Sequence, residues 1–287
     1  MSVALAGSTA QRPFVSLLAS VSTTFTPIYS LLCRTISTTI VNFRILSLPK
    51  KTATMRSTTL SVFAGLAVLA PLTTAQSTSP KRGLCYVPSQ KYPGDDSIWT
   101  AGDLTWYYNY QAEPADAYKN NNNLQFVPML WGASDSDTGT PFYDSVKRQL
   151  DGGANITYVL GFNEPDGPHS TGGSALPVDL AAARWKAEIE PLRELGIKVG
   201  APAVTGAASG WAWLQNWFTA CDGGCTPDFI PVHWYGNFEG MASHIGQVMA
   251  TYPNMTVWVT EYGFPGQDLQ ATQEFYNMSQ NAMDGWE

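Results

Sequence analysis

From Lys81 onward, short apolar runs recur with longer mixed segments between them. Seven runs stand out: "RGLCYV", "LTWYYNY", "LQFVPMLWG", "ITYVLGFNE", "KVGAPAV", "DFIPVHWYG" and "TVWVTEYGF". They are continuously apolar rather than strictly alternating, which predicts strands buried on both faces of a parallel sheet. Residues 177–195 place Leu180, Ala183, Ala187, Leu192 and Leu195 at helical spacing, with Glu and Arg interspersed. That spacing predicts an amphipathic helix ending at Gly196. Shorter helices are predicted over residues 143–150, 210–220, 240–251 and 270–283.

Seven β–α repeats point to an α/β fold of the (β/α)₈ TIM-barrel type rather than an open doubly wound sheet. No Gly-rich phosphate fingerprint follows the first strand, so a nucleotide cofactor is not expected. Residues 76–287 offer 212 positions, near the lower limit of about 200 for this architecture. After "TVWVTEYGF" come a helix candidate and "MDGWE", and no eighth strand is legible. The barrel is open, or its last strand lies in the N-terminal region, or the sequence is truncated. Truncation is the expectation carried forward.

Charge divides the chain. No Asp or Glu precedes Asp95, whereas residues 1–75 hold six Lys/Arg and the remainder carries 10 basic and 23 acidic residues. A phosphate backbone would be repelled by such a surface, so no nucleic-acid partner is expected. Ten tryptophans and 13 tyrosines suit a cleft that stacks on sugar rings. "MRSTTLSVFAGLAVLAPLTTAQS", from Met55, has the n-region, h-region and small-residue end of a secretory signal peptide, cut at Ala75/Gln76. Its apolar run is too short to favour a membrane span. Residues 1–54 are therefore read as a non-native upstream segment without order, with a Ser/Thr-rich transit peptide as the rival reading. Residues 55–75 are read as the signal, and 76–287 as the mature, secreted and monomeric domain.

Cys221 and Cys225 in "CDGGC" can close a small disulfide loop, its glycines permitting the bend. Connectivity does not follow from sequence, so Cys85 pairing with either remains the alternative. A metal site is not expected, because no His pair with zinc spacing lies nearby. Sequons at Asn155, Asn254 and Asn277 agree with secretion, although such short motifs also arise by chance.

In barrels of this kind, reactive side chains stand at the C-terminal ends of strands. Glu164 follows "YVLGF" and Glu261 follows "VWVT". A single glutamate there is usually a solvated loop residue. Two at one barrel mouth are what glycosidic-bond cleavage requires, one to donate a proton and one to attack or activate water. Asn163 is placed to meet a sugar hydroxyl, and Asp166 reads as a turn residue. His233 and Tyr235 share one face of their strand, alternate with Trp234, and can hold Glu261. Trp131, Tyr108 and Asn109 end strands and are sugar-contact candidates, with core packing as the bland reading for each aromatic. Trp213 and Trp217 read as the buried stripe of their helix, and Trp211 as nearer the cleft.

"GFNEPD", "DFIPVHWYG" and "WVTEYGF" together resemble glycoside hydrolase family 128, fungal endo-β-1,3-glucanases and alkali-sensitive-linkage proteins. "KRGLCYV" and "LTWYYNY" extend the resemblance, which runs from about Lys81 to Phe275. The resemblance implies Glu164 as acid/base and Glu261 as nucleophile in β-1,3-glucan hydrolysis with retention, at the cell wall and without a cofactor. Retention then requires different surroundings, Glu164 protonated and Glu261 ionised. Two rivals stand beside it: a non-catalytic glucan-binding or wall-linkage protein, and a retaining glycosidase for another β-glycan.

Overall fold

The apolar runs become short strands because most of their residues are buried, which leaves their backbone groups strand neighbours to bond. The computed structural model describes residues 17–21 and 79–286, except 90, 93, 95, 100 and 101. These belong to one compact unit, while Phe25–Gln76, with the whole of the expected signal peptide, lies outside the described residues.

In chain order the strands are β1 (Leu17–Val21), β2 (Arg82–Cys85), β3 (Trp106–Tyr108), β4 (Gln125–Phe126), β5 (Tyr158–Val159), β6 (Lys198–Val199), β7 (Phe229–Tyr235) and β8 (Thr256–Gly263). The helices are α1 (Asp96–Trp99), α2 (Pro141–Asp151), α3 (Val178–Glu188), α4 (Ala208–Cys221), α5 (Phe238–Thr251) and α6 (Leu269–Gly285). The seven expected runs supply β2 to β8, and the expected helices form α2 to α6.

Two departures are informative. The helix expected over residues 177–195 stops at Glu188 and continues as a 3₁₀ turn over Glu190–Leu195. Pro191 lacks the N–H that would bond back one turn, so the α-helical ladder cannot pass it. Gly196 then ends the segment at φ 82°, a backbone state that glycine adopts without penalty.

The strands do not form one closed barrel sheet among the described residues. A six-stranded sheet runs β4-β3-β2-β1-β8-β7, and β5-β6 form a second sheet. Single parallel bridges, Met129 to Leu160 and Gly200 to Phe229, join the two sheets on either side. Between β2 and β8, where the expectation left a gap, stands β1, antiparallel to both. It comes from the segment expected to lie outside the fold. A strand there pairs edges of β2 and β8 that would otherwise present open backbone groups.

Rings from the first residues of β3, β5 and β7 meet Trp258. Trp258 lies 4.4 Å from Phe229, 4.9 Å from Tyr158 and 5.0 Å from Trp106, centroid to centroid. A side chain at Gly83 would collide with Trp106, since an added Cβ would lie 2.1 Å from its ring. Large rings on some strands thus demand the smallest residue on their neighbours. This layer fills the N-terminal ends of the strands and leaves their C-terminal ends for chemistry. Outside it, Trp185 and Trp217 pack edge to face at 4.9 Å between α3 and α4. The expected Cys221–Cys225 disulfide is present, with Cα atoms 5.5 Å apart.

The end of α6 is tied to the start of β2. Arg82, 1% exposed, donates to Asp103 at 3.0 Å and to Asp284 at 2.6 Å. Lys81 donates to the carbonyls of Asp284, at 3.3 Å, and Trp286. No helix among the described residues is long and apolar enough to cross a membrane.

Candidate active site

Glu164 is built by the turn that follows β5. Its N–H donates to the Ala203 carbonyl at 2.7 Å, and its carbonyl accepts from Gly167 at 2.8 Å. "EPDG" is thereby a β-turn with Pro165 at the second position and Gly167 at the fourth, the places those residues favour. Glu164 itself has φ 38°, a left-handed conformation costing a non-glycine residue about 1–2 kcal/mol. Gly173 closes against this turn so tightly that a Cβ would lie 2.6 Å from the Glu164 carbonyl oxygen.

Asp166 holds the neighbouring loop. Its carboxylate accepts from the Thr205 N–H at 2.9 Å, the Thr205 hydroxyl at 2.5 Å and Ser209 at 3.0 Å. Asn163 is 4% exposed, with its amide N–H₂ donating to the Gly172 carbonyl at 3.1 Å. Its Oδ1 has no hydrogen-bond partner among the described residues.

Glu261 reaches the same place from β8. The β7–β8 register shifts by one after Val232, so His233 pairs with Glu261. His233 Nδ1 lies 2.9 Å from Glu164 Oε1, and its Nε2 lies 3.6 Å from Glu261 Oε1. One ligand-type atom from each of Glu164, His233 and Glu261 falls within 4.8 Å of the others. Burial opposes charge on the His233 imidazole, but the carboxylates of Glu261 and Glu164 outweigh it and raise its pKa.

The two carboxylates differ in their surroundings. Tyr110 donates to Glu261 Oε1 at 2.6 Å, and Tyr235 donates to Oε2 at 2.7 Å. Tyr108, fully buried, donates to the Thr260 carbonyl at 3.0 Å and stands 3.5 Å from Glu261 Oε1. Glu164 has His233 as its side-chain partner. Tyr235 exposes much of its ring while its hydroxyl stays in contact with Glu261. Desolvation of that hydroxyl and the Glu261 charge both push its pKa upward.

Of the remaining candidates, Trp131 and His169 stack with ring centroids 5.8 Å apart beside the Glu164 turn. Asn109 is engaged within its own loop, donating to Glu113 and accepting from Gln111. Trp234 points away from the triad, stacking on His244 at 5.5 Å and donating to Asn237. Trp211 meets His244 edge to face at 5.8 Å. Asn155, Asn254 and Asn277 are all exposed. Tyr110 and Cys85 were missed in the sequence. Tyr110 was within reach, because it lies two residues beyond Tyr108 in "YYNY" and so shares its face.

The sequence profile described as "glycosyl hydrolase catalytic core" matches residues 83–287. The chain belongs to that family. Among solved structures, the chain is similar to a curdlan-specific exo-β-1,3-glucanase of glycoside hydrolase family 128 from Blastomyces gilchristii. Identity is 27% and the TM-score 0.57, covering 71% of this chain and 84% of that one. It is also similar to an endo-β-1,3-glucanase of family 128 from Amycolatopsis mediterranei, solved with laminaripentaose. There identity is 26% and the TM-score 0.53, covering 71% and 83%. A family 128 oligosaccharide-binding protein from Trichoderma gamsii shares the fold at 22% identity and TM-score 0.52, covering 66% and 75%. No curated protein sequence matches the chain. The resemblance to family 128 drawn from "GFNEPD", "DFIPVHWYG" and "WVTEYGF" is borne out.

Proposed function

We propose that this glycosyl hydrolase cleaves β-1,3-glucan with retention of configuration, Glu164 acting as acid/base and Glu261 as nucleophile. The carboxylate pair carries the reading. One oxygen of each group lies within 4.8 Å of the other, in keeping with the roughly 5–5.5 Å between carboxyl groups of retaining enzymes rather than the roughly 6.5–9.5 Å of inverting ones. The unequal hydrogen bonding of the two groups supports these roles. Phenol donors on both Glu261 oxygens fix the carboxylate in place, as a nucleophile requires. Glu164, with one side-chain partner and a side chain 13% exposed, is the group free to exchange a proton with the leaving oxygen and then with water. The cyclic order of strand neighbours supports a barrel in which β1 takes the eighth position. We further propose that the protein is secreted and acts on cell-wall glucan.

A second reading has an observation of its own, since one family 128 neighbour is an oligosaccharide-binding protein. Reducing-sugar release from laminarin by the full chain and by Glu261→Ala separates the two. Release that disappears in the variant supports hydrolysis. Laminari-oligosaccharide binding without release, equal in both proteins, would establish the binding role instead.

A further inference from the structure

Tyr110 stands two residues past β3 with φ 61°, an outlier for a bulky aromatic residue. Gln111, next in the chain, accepts from the Met129 N–H at 2.9 Å, which holds the loop in that conformation. The result is a phenol placed 2.6 Å from Glu261 Oε1. On its other side, the same hydroxyl lies 3.0 Å from Cys85 Sγ. The parallel register of β2 and β3 pairs Cys85 with Tyr108, which brings the thiol to the foot of Tyr110.

Proton counting orders these contacts. A phenol has one proton, and an ionised carboxylate has none to give. The short contact therefore takes the Tyr110 proton toward Glu261. With that proton committed, the thiol contact is a hydrogen bond when the Cys85 proton points to a lone pair of the phenol oxygen. We propose that Cys85 and Tyr110 form a two-step hydrogen-bond relay, thiol to phenol to carboxylate, that positions Glu261. Both are positioning residues; neither touches the sugar in this scheme. Burial, and then the neighbouring Cys85 and Glu261, hold the Tyr110 phenol well above its ordinary pKa, so it keeps the proton the relay requires. Each link polarises the next, so donation from the thiol strengthens the bond that Tyr110 makes.

The inference rests on Glu261 being the nucleophile, and its test is arranged to separate the two. Tyr110→Phe removes the donor and keeps the ring. It lowers kcat on laminarin about 10- to 100-fold, with KM little changed, and moves the acid limb of the kcat/KM profile to higher pH. Cys85→Ala moves the limb the same way and lowers kcat about threefold or more, whereas Cys85→Ser, which restores a donor, recovers part of that loss. The relay is overturned if Tyr110→Phe leaves kcat within about twofold and the limb unmoved, or if Cys85→Ala and Cys85→Ser behave alike. If the parent protein proves inactive, the nucleophile reading fails. The relay is then decided by carbon-13 NMR titration of the Glu261 carboxyl, assigned by its loss in Glu261→Gln. A higher midpoint in Tyr110→Phe and in Cys85→Ala, partly reversed in Cys85→Ser, supports it. Equal midpoints in all four proteins overturn it.

Discussion

His233 pairs with Glu261, not with Thr260, because the β7–β8 ladder slips by one residue after Val232. A bulge of this kind re-aims the side chains beyond it. Here it brings the β8 carboxylate to an imidazole already held at Glu164.

That imidazole makes stability depend on pH. The raised pKa of His233 in the folded protein means the folded state binds the proton more tightly than the unfolded state. Its stabilisation is fully present below the unfolded value of about 6.5 and is lost as pH rises through the folded value. Thermal midpoints followed from pH 6 upward should fall across that window in the parent protein. The fall should be shallower in His233→Asn. Parallel curves would show that His233 does not carry the linkage.

The two carboxylates have different failures. Glu164→Gln should lower kcat on laminarin by about 10²–10⁴-fold, the usual worth of general acid–base help. A substrate with a good leaving group should escape most of that loss in the glycosylation step. Azide added to Glu261→Ala should give a glycosyl azide of inverted configuration, since the anion occupies the face that the nucleophile vacates. Azide added to Glu164→Ala should give the retained product, because the glycosyl-enzyme still forms. Product stereochemistry by proton NMR checks both, and exchanged outcomes would reverse the assignment of roles.

Asp166 is expected to act on the fold. Its three accepted hydrogen bonds fasten the loop at Thr205 and Ser209. Asp166→Ala should cost about 1–3 kcal/mol of stability, the penalty for donors left unpaired. The shape of the pH–rate profile should stay as in the parent. Loss of one limb of the profile would instead make Asp166 a third titrating group of the reaction.

Arg82 is the structural counterpart at the opposite end of the strands. Arg82→Met leaves Asp103 and Asp284 without their shared cation and should destabilise the protein by about 3–5 kcal/mol in urea unfolding. Adding Asp284→Leu should recover part of this by removing one stranded charge. A double variant no more stable than the single would show that the cost lies in lost packing.

Much of this molecule was legible in one dimension. Continuous apolar runs located β2 to β8, because burial on both faces leaves no position for alternation. Glycine and proline marked where elements stop, although the effect of Pro191 on the ladder after Glu188 was missed. The placement of Glu164 and Glu261 just past apolar runs was enough to single them out as a pair. Cys221 and Cys225, five positions of chain with two glycines between them, were within reach of each other from the start.

What the sequence determined by itself was therefore the local state of each segment, since periodicity and turn residues act over a few neighbours. The tertiary structure decided everything that depends on register between distant segments. Only it hydrogen-bonded His233 to Glu164 rather than to Glu261, carried Tyr110 and Cys85 to the Glu261 carboxylate, turned Trp234 away from it, and placed β1 between β2 and β8. A one-residue slip in a ladder leaves every local preference unchanged, yet it moves a side chain to a different partner. The identity of the reacting groups was written along the chain, and their geometry came from how the strands align.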